Sequence, residues 1–273
     1  MRRIVVCADD YALAPGVSKA IRALVGRGRI NATSVMTVLP GFATEAVALT
    51  MTAAPIRFET GLHVTLTAPF KPLVAAPLPT ADGNFPSLVR LLEPTARFRV
   101  DRAAIEAEVG AQLKAFADAF GRPPDFVDGH QHVQLFSGVR ESFLAAVARA
   151  APKAWVRQCG PADWRTLLAA DNKSRLLAFL SRGFRRAARR AGLAFNPAFA
   201  GAYDFGTDRD FGARFARFVE RMPEGGVIMC HPGLVDDALR ARDWLTDPRE
   251  IEYAFLAGDG LLQALARAGA TIA

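Results

Sequence analysis

Short apolar runs recur along the chain, and most of them stop at a polar residue able to do chemistry. Ile4-Val5-Val6-Cys7-Ala8 ends at Asp9-Asp10, and Val227-Ile228-Met229-Cys230 ends at His231. Asp125-Phe126-Val127-Asp128 leads into His130, and a partly alternating run over 60–67 carries His63. Runs this short, apolar and β-branched read as strands of a parallel sheet covered on both faces. Further strands are expected over 33–38 and 154–156. Between them the apolar period becomes helical. Pro15-Gly16-Val17 opens a helix with Ile21, Leu24 and Val25 on one face. Other helices are expected over about 43–52, from Asp101 to Phe120, and over 139–150, 163–191, 210–221 and 259–268. Residues 68–100, rich in proline, form the longest irregular stretch and follow the third strand, where a loop can shape a substrate pocket.

The alternation of strands and helices predicts one α/β domain over 1–273, because no repeat or linker divides the chain. Four candidate site elements follow four separate strands. A distorted TIM-like (β/α) barrel with mainly parallel strands gathers such residues on its C-terminal rim, and that is the expected fold.

Composition narrows the setting. With 51% hydrophobic and 22% charged residues, a chain of 273 residues can bury a large core. No apolar run reaches the ~18 residues needed to span a membrane, and the N-terminus lacks the marks of a secretory signal. A cytoplasmic location is expected. Cys7, Cys159 and Cys230 lie far apart with no Cys-x-x-Cys, which predicts neither a disulfide framework nor a thiolate zinc site. The net charge of +7 permits anionic partners, but no nucleic-acid motif accompanies it and no nucleic-acid partner is expected. Arg175, Arg182, Arg185, Arg186, Arg189 and Arg190 fall on one side of a helix, with Leu176, Leu177, Leu180, Phe184, Ala187 and Ala188 mostly on the other. A solvated face over a packed one accounts for this; the sharper reading is peripheral docking on an anionic membrane surface.

The chain has only four histidines, and each follows one of these runs. Two imidazoles and a carboxylate from Asp9-Asp10, His63 and His130 would suit a divalent first-row metal with positions left open for water and substrate. One aspartate can bind the ion while its neighbour stays free as a base, and His231 can supply an acid. His130 and His132, two apart on extended chain, would face the same side. Asp128 can orient a ligand, and the loop ending in Tyr203-Asp204 has features suited to a sugar.

The combination of Ala8-Asp9-Asp10-Tyr11, Thr33-Ser34-Val35-Met36, Gly61-Leu62-His63-Val64-Thr65, Asp128-Gly129-His130-Gln131-His132 and Cys230-His231-Pro232-Gly233 resembles the YdjC-like carbohydrate deacetylases, a family that includes chitooligosaccharide deacetylases and a hopanoid-biosynthesis branch. The resemblance implies a homodimeric, metal-dependent hydrolase that removes an N-acetyl group from an amino sugar of an oligosaccharide or glycolipid. It makes Asp10, His63 and His130 the ligands of one divalent ion, zinc or magnesium first, with manganese, iron and cobalt compatible. It makes Asp9 the base and His231 the acid, and sets His132 beside the ion or the sugar. Tyr11-Ala12 stands where the family often has Phe-Gly, and Gln134 where it often has a further histidine. The competing readings are a non-catalytic sugar-binding or regulatory protein on the same barrel and another mononuclear metal hydrolase.

Overall fold

In the computed structural model, which describes residues 1–74, 76, 80–93, 100–163, 171–203 and 210–273, seven parallel strands form one sheet. In chain order they are β2 (Val5–Tyr11), β3 (Ala32–Val35), β4 (Glu59–Val64), β5 (Phe126–Gly129), β6 (Trp155–Val156), β7 (Phe199–Ala200) and β8 (Val227–Cys230). Their spatial order is β6-β5-β4-β3-β2-β8-β7. β1 (Arg2–Arg3) and β9 (Ala270–Thr271) pair separately and tie the two ends of the chain together.

The two edge strands are joined by the segment that leads into β7. Val156 bridges Phe195, the Val156 N–H donates to Ala194 O at 2.9 Å, and the Phe199 N–H donates to Gly160 O at 2.9 Å. The Asn196 side chain accepts from the Gln158 N–H at 2.8 Å and donates to Gln158 O at 3.0 Å. A side-chain amide and single bridges thus replace a regular ladder here, which is the barrel's main distortion. β7 approaches β8 so closely that a Cβ on Gly201 would lie 2.2 Å from Met229 O, and Gly201 itself sits at φ 114°, so glycine is required there.

The helices are α1 (Pro15–Gly26), α2 (Phe42–Thr50), α3 (Leu88–Leu92), α4 (Arg102–Phe120), α5 (Arg140–Ala150), α6 (Asn172–Arg190), α7 (Phe211–Glu220), α8 (Asp237–Arg242), α9 (Asp247–Ala257) and α10 (Gly260–Arg267). Seven of them form where the apolar period indicated, while α3, inside the stretch expected to be irregular, and α8 and α9 were not expected from it. Aspartates fix several of their starts. Asp101, Asp171, Asp210 and Asp236 each accept from a backbone N–H of the first turn of α4, α6, α7 and α8. Asp236 also accepts from the Gly16 N–H at 2.6 Å, so it serves both α1 and α8.

Three expectations need correction, the first being the strand expected over 33–38, which is Ala32–Val35. The third strand stops at Val64 instead of Thr67, because Gln112 of α4 takes over the backbone of Thr65: Oε1 accepts from its N–H at 3.0 Å and Nε2 donates to its carbonyl at 2.8 Å. Leu176 does not pack inward; it is exposed, and the packed face of α6 is Leu177, Ala178, Ser181, Phe184, Ala187 and Ala188. Of the helical stretch expected over 163–191, residues 164–170 lie outside the described residues. No helix among the described residues is long and apolar enough to cross a membrane.

Candidate active site

Parallel strands deliver their C-terminal ends to one rim, and five of them end in the residues that follow. Asp9 and Asp10 close β2, His63 lies near the end of β4, and Asp128 and His130 sit at the end of β5. Arg157 follows β6 directly, and His231 follows β8.

Neighbouring side chains on a regular strand point to opposite faces. The register between β2 and β3 shifts between Ala8 and Tyr11, and Asp10 and Ala12 take φ of 67° and 74°. This bulge turns both aspartates toward the rim. Left-handed backbone at a non-glycine residue is strained, and here it coincides with a buried cluster of ionisable side chains.

Asp10 lies at the centre of one half of the site. Its Oδ1 is 3.2 Å from His63 Nε2 and 3.1 Å from His130 Nδ1. Its Oδ2 accepts from Arg249 of α9 at 2.7 Å, and the same guanidinium nitrogen reaches Asp243 Oδ2 at 2.6 Å. The far nitrogen of His63, Nδ1, is 2.6 Å from Asp128 Oδ1 and 3.0 Å from Ser34 Oγ, which directs Nε2 at Asp10. Phe70 packs edge-on against His130 with ring centres 5.9 Å apart.

Asp9 forms the other half. Both its oxygens accept from Arg157, Oδ2 from Nη1 at 2.6 Å and Oδ1 from Nη2 at 2.7 Å, and Ser34 Oγ donates to Oδ1 at 3.1 Å. Arg157 Nη2 also reaches Asp128 Oδ2 at 2.6 Å, and the guanidinium lies between the rings of Phe126 and Phe199. Cys7, Asp9 and Asp128 bring donor atoms together as an ion-binding group would, but Arg157 is the cation that fills that space.

Charge decides what the first half can hold. The donor atoms of Asp10, His63 and His130 lie within 4.8 Å of one another. Around them four carboxylates, Asp9, Asp10, Asp128 and Asp243, face only two guanidiniums, Arg157 and Arg249. The two negative charges left over equal the charge of one divalent cation. Two imidazole nitrogens and a carboxylate oxygen are the donors such an ion takes. The residues present therefore fit a divalent ion.

Acidities follow from the same contacts. Burial alone would push the His63 imidazolium down, but Asp128, Asp10 and Asp9 outweigh it and raise the group to about 10. Without an ion, His63 therefore carries a proton at neutral pH. Ion uptake must displace it, so affinity is expected to rise roughly tenfold per pH unit between pH 6 and 8. Calorimetric titrations in buffers of different ionisation enthalpy would count the released proton; none released would contradict the ligand set. Burial pushes Asp9 up, yet Arg157 and His63 pull it below the ordinary carboxylate range. Burial lowers His231 to about 4 against the opposing charges of Asp10 and Asp9, so its resting imidazole is neutral.

His231 follows Cys230, the partner of Ala8 in the β2–β8 ladder, and is near enough to Asp10 and Asp9 for their charges to act on it. Its backbone N–H donates to Glu252 Oε2 at 2.5 Å, and Tyr203 OH donates to Glu252 Oε1 at 2.6 Å. Glu252 is fully buried, and burial raises its carboxyl to about 7. A raised carboxyl contributes stability below its unfolded value and loses it as pH climbs through its folded value. Glu252→Gln is expected to remove a stability loss on the order of 3 kcal/mol between pH 5 and 8. It leaves one acceptor for two donors, so kcat is expected to fall roughly tenfold with little change in KM. Urea melts at both pH values, with steady-state kinetics, check both points.

Two other expectations change. Gln131 and His132 adopt φ of 55° and 59°, so the chain turns instead of extending and His132 does not share the side of His130. His132 packs edge-on against Phe199, with Nδ1 3.5 Å from Cys159 Sγ. Tyr203 is buried, with its hydroxyl on Glu252 and Arg214 over its ring, so in this structure it supports the neighbourhood of His231. Asp204 lies outside the described residues. Arg157, Arg249 and Glu252 were missed in the sequence.

The chain matches the family described as YdjC-like protein over residues 3–267. It is 26% identical over 272 residues to a chitooligosaccharide deacetylase of Citrobacter koseri, covering 98% of this chain and 96% of that one. It is 34% identical over 149 residues to a human carbohydrate deacetylase, covering 53% of this chain; the match spans 45% of the human protein, under half its length. Among solved structures, a protein of Enterococcus faecalis V583 described as a cellobiose-phosphate cleavage protein superposes with a TM-score of 0.77 at 20% identity, covering 100% of this chain and 97% of that one, which supports the fold.

Proposed function

Because the chain belongs to the YdjC-like family, we propose that it removes the N-acetyl group from an acetylated amino sugar, using one divalent ion held by Asp10, His63 and His130. The observation that carries this reading is the convergence of those three donors with Asp9 and His231 on one rim. The similarity to chitooligosaccharide and carbohydrate deacetylases supports the choice of substrate class.

A divalent ion at this position would polarise the acetyl carbonyl and acidify a water. The chain's own residues do the rest. Arg157 keeps Asp9 ionised and fixes both its oxygens, so the carboxylate is always ready to accept a proton. Its proton affinity is low, which makes prior acidification of the water necessary. Asp128 and Ser34 hold His63 with Nε2 toward Asp10, and Arg249 holds the outer oxygen of Asp10. His231 delivers a proton to the departing nitrogen; since it starts neutral, it must take up that proton within the cycle.

Zinc and magnesium are the first candidates for the ion. A screen for acetate release across N-acetylated oligosaccharides and glycolipids, with each divalent metal added to metal-free protein, tests the proposal. No acetate under any combination would reject it.

A further inference from the structure

α6 carries one lysine and six arginines and no acidic residue, and those seven cations equal the net charge of the whole chain, +7. An ordinary solvated helix face interleaves both signs. Here, among the described residues, no salt bridge engages Arg182, Arg185, Arg186, Arg189 or Arg190. Burial and the charges of Arg189 and Arg182 lower the Arg185 guanidinium below its ordinary value, a sign of unrelieved crowding.

The same outward stripe carries apolar residues. Arg175, Phe179, Arg182, Arg186 and Arg190 recur at helical spacing, opposite the packed Leu177, Ser181, Phe184 and Ala188. Phe179 is 68% exposed and its neighbour Leu176 is 53% exposed. Both lie in the first two turns. That end of the helix stands at the rim, because α6 follows the C-terminal end of β6. Ser174 Oγ donates to Ala202 O at 3.0 Å, and α6 packs against the turn His130–Leu135. Lys173 is close enough for its charge to act on both His132 and His231.

We propose that α6 is a docking helix for an anionic phospholipid bilayer, with Leu176 and Phe179 entering the interface beside the mouth of the site and the arginines meeting lipid phosphates. Clustered cations flanking exposed aromatic and aliphatic side chains are what such a surface binds. A nucleic acid would use the charge but not the apolar pair at one end. The inference does not depend on the proposed chemistry, because binding is read without substrate.

The test is co-sedimentation of the full chain with vesicles of phosphatidylglycerol and phosphatidylethanolamine, and with phosphatidylcholine alone. Binding is expected only to the anionic vesicles and should weaken as salt is raised. Arg182→Gln/Arg186→Gln/Arg190→Gln is expected to lower the partition coefficient roughly a hundredfold, at about fivefold per arginine. Leu176→Ser/Phe179→Ser is expected to lower it roughly tenfold or more. All five positions are exposed, so unchanged circular dichroism and thermal midpoints will verify folding. No anionic-vesicle binding by the wild type, or binding that both variants retain, overturns the proposal. So does a change of oligomeric state in the variants without vesicle binding, which would assign the face to a second copy.

Discussion

His63→Ala is expected to lose both the bound ion and turnover, whereas Asp9→Asn keeps the ion and loses turnover alone. His63 supplies one of three donors, and its Nε2 is aimed by the Asp128 contact at 2.6 Å. Alanine removes the donor and leaves Asp128 without its imidazole. Lewis-acid stabilisation is worth several kcal/mol, so kcat/KM should drop roughly a thousandfold or more. Asp9 stands apart from those donors, on Arg157 and Ser34. Asparagine still offers one oxygen to Arg157 but cannot take a proton, and loss of a general base costs roughly 10²–10⁴ in rate. Metal content by atomic emission alongside acetate release separates the two variants. An Asp9→Asn protein with full activity would remove Asp9 from the base role, and a fully metallated, active His63→Ala would remove His63 from the ligand set.

Arg157→Met is expected to be the most destabilising substitution in the site. The guanidinium is 1% exposed and bridges Asp9, Asp128 and Cys7. Removing one partner from a buried ion pair costs about 3–5 kcal/mol, because the remaining charges stay buried and uncompensated. The pH dependence identifies the cause. In the wild type Asp9 is held below its ordinary range, so the pair stabilises above the unfolded carboxylate value and fades as pH falls through the folded one. Without Arg157, burial instead favours the protonated acid. The deficit of the variant should therefore shrink on acidification from pH 7 to 4.5, as urea melts would show. Arg157→Lys should not rescue activity, because a single ammonium cannot meet both oxygens of Asp9 and still reach Asp128. A variant within about 1 kcal/mol of wild type at pH 7 would show that the network does not act as one unit.

What could be read from the chain was what local pattern encodes. Asp9, His63, His130 and His231 stand at or beside the ends of apolar runs, and a parallel sheet sends such ends to one rim. Arg157 has the same signature, following Trp155–Val156 directly, yet a search for ligands and bases passes over an arginine. Arg249 and Glu252 come from α9, a helix with no local mark of the site; only the folded chain brings them to Asp10 and His231. The turn after β5 was illegible for another reason: two successive non-glycine residues with left-handed backbone, Gln131 and His132, defy local propensity. The exposure of Leu176 depends on where neighbouring elements end, which helical periodicity alone does not fix.

Titration of the metal-free protein with a divalent ion, following acetate release from an N-acetylated chitooligosaccharide, tests the central claim most directly. Activity should be absent without the ion, rise in proportion to ion added, and level off at about one equivalent per chain. Acetate release by the metal-free protein, or a plateau at two equivalents, would contradict a single ion held by Asp10, His63 and His130.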